Sequence, residues 1–87
     1  MLDVNNIKEF ILNTVREQAD DSKIVASSNI SEDVGIDSIG WLNCLIQIEK
    51  QYDCIINPQA IFSQRIVFVQ DFIDVMIKYI ENFHNFK

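Results

Sequence analysis

The sequence predicts an all-α protein: a small antiparallel four-helix bundle with a long first loop and a short third helix. Three observations predict it. Apolar residues recur at steps of three and four along three long stretches, which is the period of a helix. Only two Gly and one Pro occur among 87 residues, so long helices go uninterrupted and a turn-rich β fold is disfavoured. Hydrophobic residues make up 48% of the chain, enough for one small core and hence for one domain spanning residues 1–87.

The first helix is expected from about Val4 to Gln18. Val4, Ile7, Phe10, Ile11, Thr14 and Val15 form its stripe, and Lys8, Glu9, Arg16 and Glu17 flank it. Asp3 is placed to cap it. A long connection then runs from Asp20 to Asp37. It is rich in Asp, Ser and Asn but holds Ile24, Val25, Ile30, Val34 and Ile36. A loop of that length is either functional or packed by its own side chains, and the scattered aliphatics favour packing. Gly35 is expected to relieve backbone strain just before the next helix.

The second helix is expected from about Ser38 to Tyr52. Leu42, Leu45, Glu49 and Tyr52 share one sector, with Cys44 and Ile48 beside it. Ile39, Trp41 and Ile46 make the rest of the surface apolar too. Such a helix is deeply buried or carries a second, partner-facing face; Trp41 and Ile46 are read as exposed, the alternative for Trp41 being that it simply covers the long loop. Asn57-Pro58 is a helix start, with Asn as cap and Pro at the first position, opening a short helix to about Ser63. The last helix is expected from about Val69 to Asn82, on the stripe Val69, Phe72, Ile73, Met76, Ile77 and Ile80. Phe83 to Lys87 are expected to fray, with Phe83 a candidate to extend the stripe instead. Ile66-Val67-Phe68-Val69 has the β-branched character of a strand, but a lone strand has no partner, so it reads as a loop entering the last helix. The core is expected to include Phe10, Ile11, Leu42, Leu45, Ile73 and Met76.

Charge and composition narrow the function. The formal net charge is −6, which repels nucleic acid and anionic membranes and favours partners with basic patches. No apolar run approaches the roughly 18 residues of a membrane span, so no membrane insertion is expected. Cys44 and Cys54 read as reduced, buried small hydrophobes. No secretory signal is visible at the N-terminus, and a cytoplasmic monomer is expected. His84 is the single histidine, so no zinc site is expected. No nucleophile–base pair is brought together by the sequence, so the chain reads as a non-enzyme with no catalytic residues.

The most informative stretch is Glu32-Asp33-Val34-Gly35-Ile36-Asp37-Ser38-Ile39. It sets a serine hydroxyl at the start of an amphipathic helix, where free amides and the positive end of the helix dipole favour phosphate. On the blander reading, Asp37 and Ser38 only cap the helix.

This stretch resembles the Asp-Ser-Leu attachment motif of the acyl carrier protein family, with Ile39 in place of leucine. The resemblance extends over nearly the whole chain: the first helix, the long loop, the series Leu42, Leu45, Ile48 and Tyr52, the start at Asn57-Pro58, Val69, and the closing helix with Ile73, Met76 and Ile80. It implies that Ser38 carries a covalent phosphopantetheine, derived from coenzyme A and added by a phosphopantetheinyl transferase, with Asp37 as the acid before it. The arm holds acyl intermediates as thioesters for acyl-loading and acyl-processing enzymes. Ile39 and Ile46 match positions that partners touch. Trp41 and Glu49 join them as candidate partner-binding residues. Leu42, Leu45 and Ile48 match positions that face the core or line the acyl pocket. The second helix departs from fatty-acid carriers in having Asn43, Lys50 and Gln51 where acids are common, and Trp41 is unusual there. These differences imply a free-standing carrier for a specialised fatty-acid, polyketide or aminoacyl pathway. The alternative is a helical protein–protein interaction module that is never modified.

Overall fold

The computed structural model describes residues 3–85. Its helices are α1 (Val4–Ala19), α2 (Ile30–Asp33), α3 (Ser38–Tyr52), α4 (Pro58–Phe62) and α5 (Val69–Asn85). Asp3 caps α1 by accepting from the amides of Asn5 and Asn6. Ile7, Ile11, Thr14 and Val15 form its buried face. The buried Thr14 hydroxyl is satisfied by the Phe10 carbonyl at 2.8 Å.

The direction of packing follows from contacts along the helices. The Tyr52 ring, at the end of α3, meets Phe10 near the start of α1 edge-on at 5.6 Å. Midway, the Cys44 thiol points at the Thr14 carbonyl, 4.0 Å away. So α1 runs antiparallel to α3. Trp41 packs edge-on to Phe72 at 5.2 Å, and His84 Nε2 lies 2.6 Å from the Tyr52 carbonyl. Hence α5 runs in the same sense as α3, and the connection 53–68 carries the chain back between them. The core gathers where these helices meet, around Ile7, Ile11, Leu45, Ile48, Ile61, Phe72, Ile73, Met76 and Ile80.

The long first connection is packed, as its aliphatics predict, with Ile24 and Val34 buried. Arg16 fastens it, donating from Nε to the Ile24 carbonyl at 2.7 Å. It also contains α2, which the apolar period did not reveal because four residues complete only one turn. Reciprocal caps hold that turn. Asn29 Oδ1 accepts from the amides of Ser31 and Glu32, and Asp33 Oδ2 accepts from the amide of Asn29 at 2.8 Å.

Segment 66–69 does find a partner. Val67 O accepts from Ile30 N at 2.9 Å, Ser28 O from Val69 N at 3.0 Å and Ala26 O from Gln70 N at 2.8 Å. Asn29 and Phe68 form a single antiparallel bridge there. The two connections are therefore stitched together. Asp71 then opens α5, its Oδ2 accepting from the amides of Val67 and Phe68 at 3.1 and 2.9 Å. Those two bonds to the charged form hold its carboxyl below the ordinary value.

Several expectations are corrected. Leu42 is not in the core: it is 43% exposed, while Leu45 is 2% exposed. Phe10 is half-buried at the edge of the core, against Tyr52. Gly35 relieves no strain, because no glycine among the described residues has a positive φ. The left-handed positions are instead Asp20 and Asp53, which close α1 and α3 at φ 52° and 48°. Residues Phe83 to Asn85 are helical rather than frayed: Phe83 extends the stripe onto the core, and His84 packs against the end of α3. Phe86 and Lys87 lie outside the described residues.

Candidate functional site

The start of α3 is built from Val34, Asp37 and Ser38. Val34 is buried and anchors the approach. Asp37 is extended, at φ −82° and ψ 178°, and its Oδ1 accepts from the Gly40 amide at 2.8 Å. Its carbonyl begins the helix by accepting from the Trp41 amide at 3.0 Å. The aspartate is thus the cap, and Ser38 is the first helical residue, exposed to solvent. Its amide and that of Ile39 precede the first intrahelical bonds, at the positive end of a helix of 15 residues. That end of the helix favours negative charge near Ser38.

Downstream of the serine, Ile39, Leu42 and Ile46 lie at spacings of three and four on one outward strip. They are 68%, 43% and 45% exposed. Leu42 replaces Trp41 in this strip. Trp41 is half-buried and not exposed as expected: it turns inward between Phe72 and Phe62, whose ring centre is 6.3 Å from its own. The largest apolar side chain of α3 gains most by burial, and its inward turn rotates the buried sector to Trp41, Cys44, Leu45 and Ile48. Beside the indole is an opening of about 180 Å³ lined by Ile30, Trp41, Phe62, Gln64, Ile66 and Phe72.

Glu49, expected to face partners, is half-buried and works inside the fold. It accepts from the Ile56 amide at 2.6 Å. The Tyr79 hydroxyl reinforces the same connection, donating to the Ile55 carbonyl at 3.1 Å and accepting from the Asn57 amide at 3.2 Å. Tyr79 was not anticipated, and no spacing in the sequence announces a contact between residues so far apart. Gly40 was also missed. Its signal was available, since glycine within the first turn of a helix gives up helix propensity and implies a close approach.

Cys44 is fully buried, and burial pushes its thiol up to about 12. A thiol so reluctant to ionise is not a nucleophile at neutral pH. Cys54 is buried as well. Among the described residues no cluster of His, Cys, Asp and Glu could hold a metal ion. No helix among them is long and apolar enough to cross a membrane.

The family model described as the phosphopantetheine attachment site matches residues 9–66, more than half of the chain. That stretch contains the whole of α3 with Asp37 and Ser38. No solved structure matches the chain.

Proposed function

Because this chain belongs to the phosphopantetheine attachment-site family of acyl and peptidyl carrier proteins, we propose that Ser38 is the residue that takes the arm. We further propose that the loaded protein serves a specialised fatty-acid, polyketide or aminoacyl pathway. Members of the family are carriers and not catalysts, and their phosphopantetheine is covalently held. The observation that carries the proposal is the exposed Ser38 hydroxyl, first in α3 behind an aspartate cap, inside the matched stretch.

The residues present fit the group. Ser38 supplies the oxygen of the phosphodiester link. The amides of Ser38 and Ile39 and the helix dipole favour the phosphate charge by roughly 0.3–1 kcal/mol at such an exposed position. The Asp37 carboxylate is turned onto the Gly40 amide, which leaves it capping the helix while the serine stays outside. When attached, the arm supplies a thiol on which acyl groups are held as thioesters. The apolar opening beside Trp41 suits a short apolar cargo, whose burial gains about 0.8 kcal/mol per methylene.

The partners of this reading are a phosphopantetheinyl transferase and acyl-loading and acyl-processing enzymes. They dock along Ile39, Leu42 and Ile46, with Trp41 supporting the strip from beneath. Glu49 is the single acid in α3, and its carboxylate is engaged with Ile56. Docking therefore rests on apolar contact more than on charge, which favours a specialised pathway over one read through an acidic helix. The buried thiols of Cys44 and Cys54 suit a reducing compartment, and we assign the protein to the cytoplasm.

Intact mass after incubation with a phosphopantetheinyl transferase and coenzyme A is the test. The chain gains one arm, and Ser38→Ala gains none. The variant keeps its helical spectrum, since Asp37 and not Ser38 caps α3. A wild-type chain that stays unmodified supports an unmodified interaction module instead. A Ser38→Ala protein that still gains the mass moves the site elsewhere.

A further inference from the structure

We infer that Gly40 is a positioning residue for the modification of Ser38: it is the space into which the two residues before the serine close. The inference rests on Ser38 as the attachment residue. Gly40 lies in the first turn of α3, where alanine would be the better helix former. Its φ is not positive, so backbone freedom does not explain it. Space does. A Cβ at position 40 would lie 2.6 Å from Ile36 Cγ2, 3.8 Å from Ile36 Cβ and 3.3 Å from Asp37 Oδ1. The first distance cannot persist, so something must move.

Ile36 cannot yield cheaply. It is β-branched and stiff about χ1, and it is half-buried against the core. The Asp37 oxygen that would be crowded is the one accepting from the Gly40 amide at 2.8 Å. Ile36 and Asp37 therefore both close onto Gly40, and Ser38 follows Asp37 directly in the chain. With alanine at 40, the 36–37 segment backs away from the helix and takes the serine's orientation with it. Gly35 is the natural contrast, because a Cβ there meets nothing within 4 Å.

The experiment uses the full chain and measures loading by a phosphopantetheinyl transferase with coenzyme A, varying carrier concentration. Gly40→Ala is expected to lose at least about tenfold in kcat/KM, since small misplacements of a reacting group carry losses up to about a hundredfold. The loss falls on kcat, with KM within about twofold, because the Ile39, Leu42 and Ile46 strip is unchanged. Gly35→Ala loads within about twofold of wild type. In an Ile36→Ala background, which lacks the obstructing methyl, the further cost of Gly40→Ala shrinks to about twofold or less. If the single Gly40→Ala protein fails to fold, the Ile36→Ala and Ile36→Ala/Gly40→Ala pair still reads this last comparison. A Gly40→Ala protein that loads as fast as wild type overturns the inference, as does an equal loss in both backgrounds. A wild-type chain that never loads overturns the assignment of Ser38 itself, which is a different outcome.

Discussion

Two leucines three residues apart on α3 meet opposite environments, and truncating each to alanine measures which face of the helix is buried. Leu45 is 2% exposed and Leu42 is 43% exposed. Leu45→Ala withdraws three carbons from a closed core, about 2.4 kcal/mol of transfer free energy at about 0.8 per carbon, and leaves a cavity that raises the cost toward 3–4. Leu42→Ala loses roughly half of the same transfer term, about 1.3 kcal/mol, and leaves no enclosed void. The difference is about 2 kcal/mol, which for a domain of this size separates the melting temperatures by roughly 8–16 °C. Thermal and urea unfolding followed by far-ultraviolet circular dichroism reads both quantities. Equal losses at the two positions would show that the Leu42, Leu45, Glu49 and Tyr52 sector faces the core, and would refute the inward placement of Trp41.

Two further outcomes follow from contacts within the fold. Tyr79→Phe removes the hydroxyl that spans Ile55 and Asn57; it should lower stability by about 1–2 kcal/mol in urea unfolding, and an unchanged midpoint would mean the bridge contributes nothing. Burial pushes the Cys44 thiol from its ordinary 9.0 up to about 12; above pH 9 the unfolded chain therefore gives up a proton that the folded chain keeps. Stability should be flat in this group below pH 9 and fall as pH rises from there toward 12. Comparing Cys44→Ala with wild type over that window isolates the effect, and identical pH profiles would contradict it.

The three long helices were legible because each buries a stripe at the helical period, as in Ile7, Ile11 and Val15 or Phe72, Ile73, Met76 and Ile80. The attachment turn was legible because its features are local: an acid, a hydroxyl and the onset of an apolar pattern. What escaped depends on distance or on competition between neighbours. Periodicity marks α3 as helical but leaves its rotation open, since Trp41, Leu42, Leu45, Ile46 and Ile48 offer two apolar sectors. Phe72 and Phe62 decide between them by receiving the indole, and neither is near it in sequence. Glu49 reads as a surface acid until the Ile56 amide is brought to it. The turn α2 escaped because one turn has no period; only its caps, Asn29 and Asp33, announce it.

The stitching of residues 26–30 to residues 67–70 has a consequence for how the molecule opens and closes. Three hydrogen bonds cross that seam, so loosening either connection breaks contacts that hold the other. The amides of Ile30, Val69 and Gln70 should lose protection against solvent exchange together, as one cooperative unit. The partners are on the order of 40 residues apart, so the seam carries a loop-closure cost that contacts within one helix avoid. It should form late in folding, after α1 and α3 have met, and make the chain slower than a bundle of simple hairpins. Ser38 stands at the far end of the first of these connections. The readiness of its turn is therefore tied to the docking of a helix that begins thirty-one residues later, at Val69.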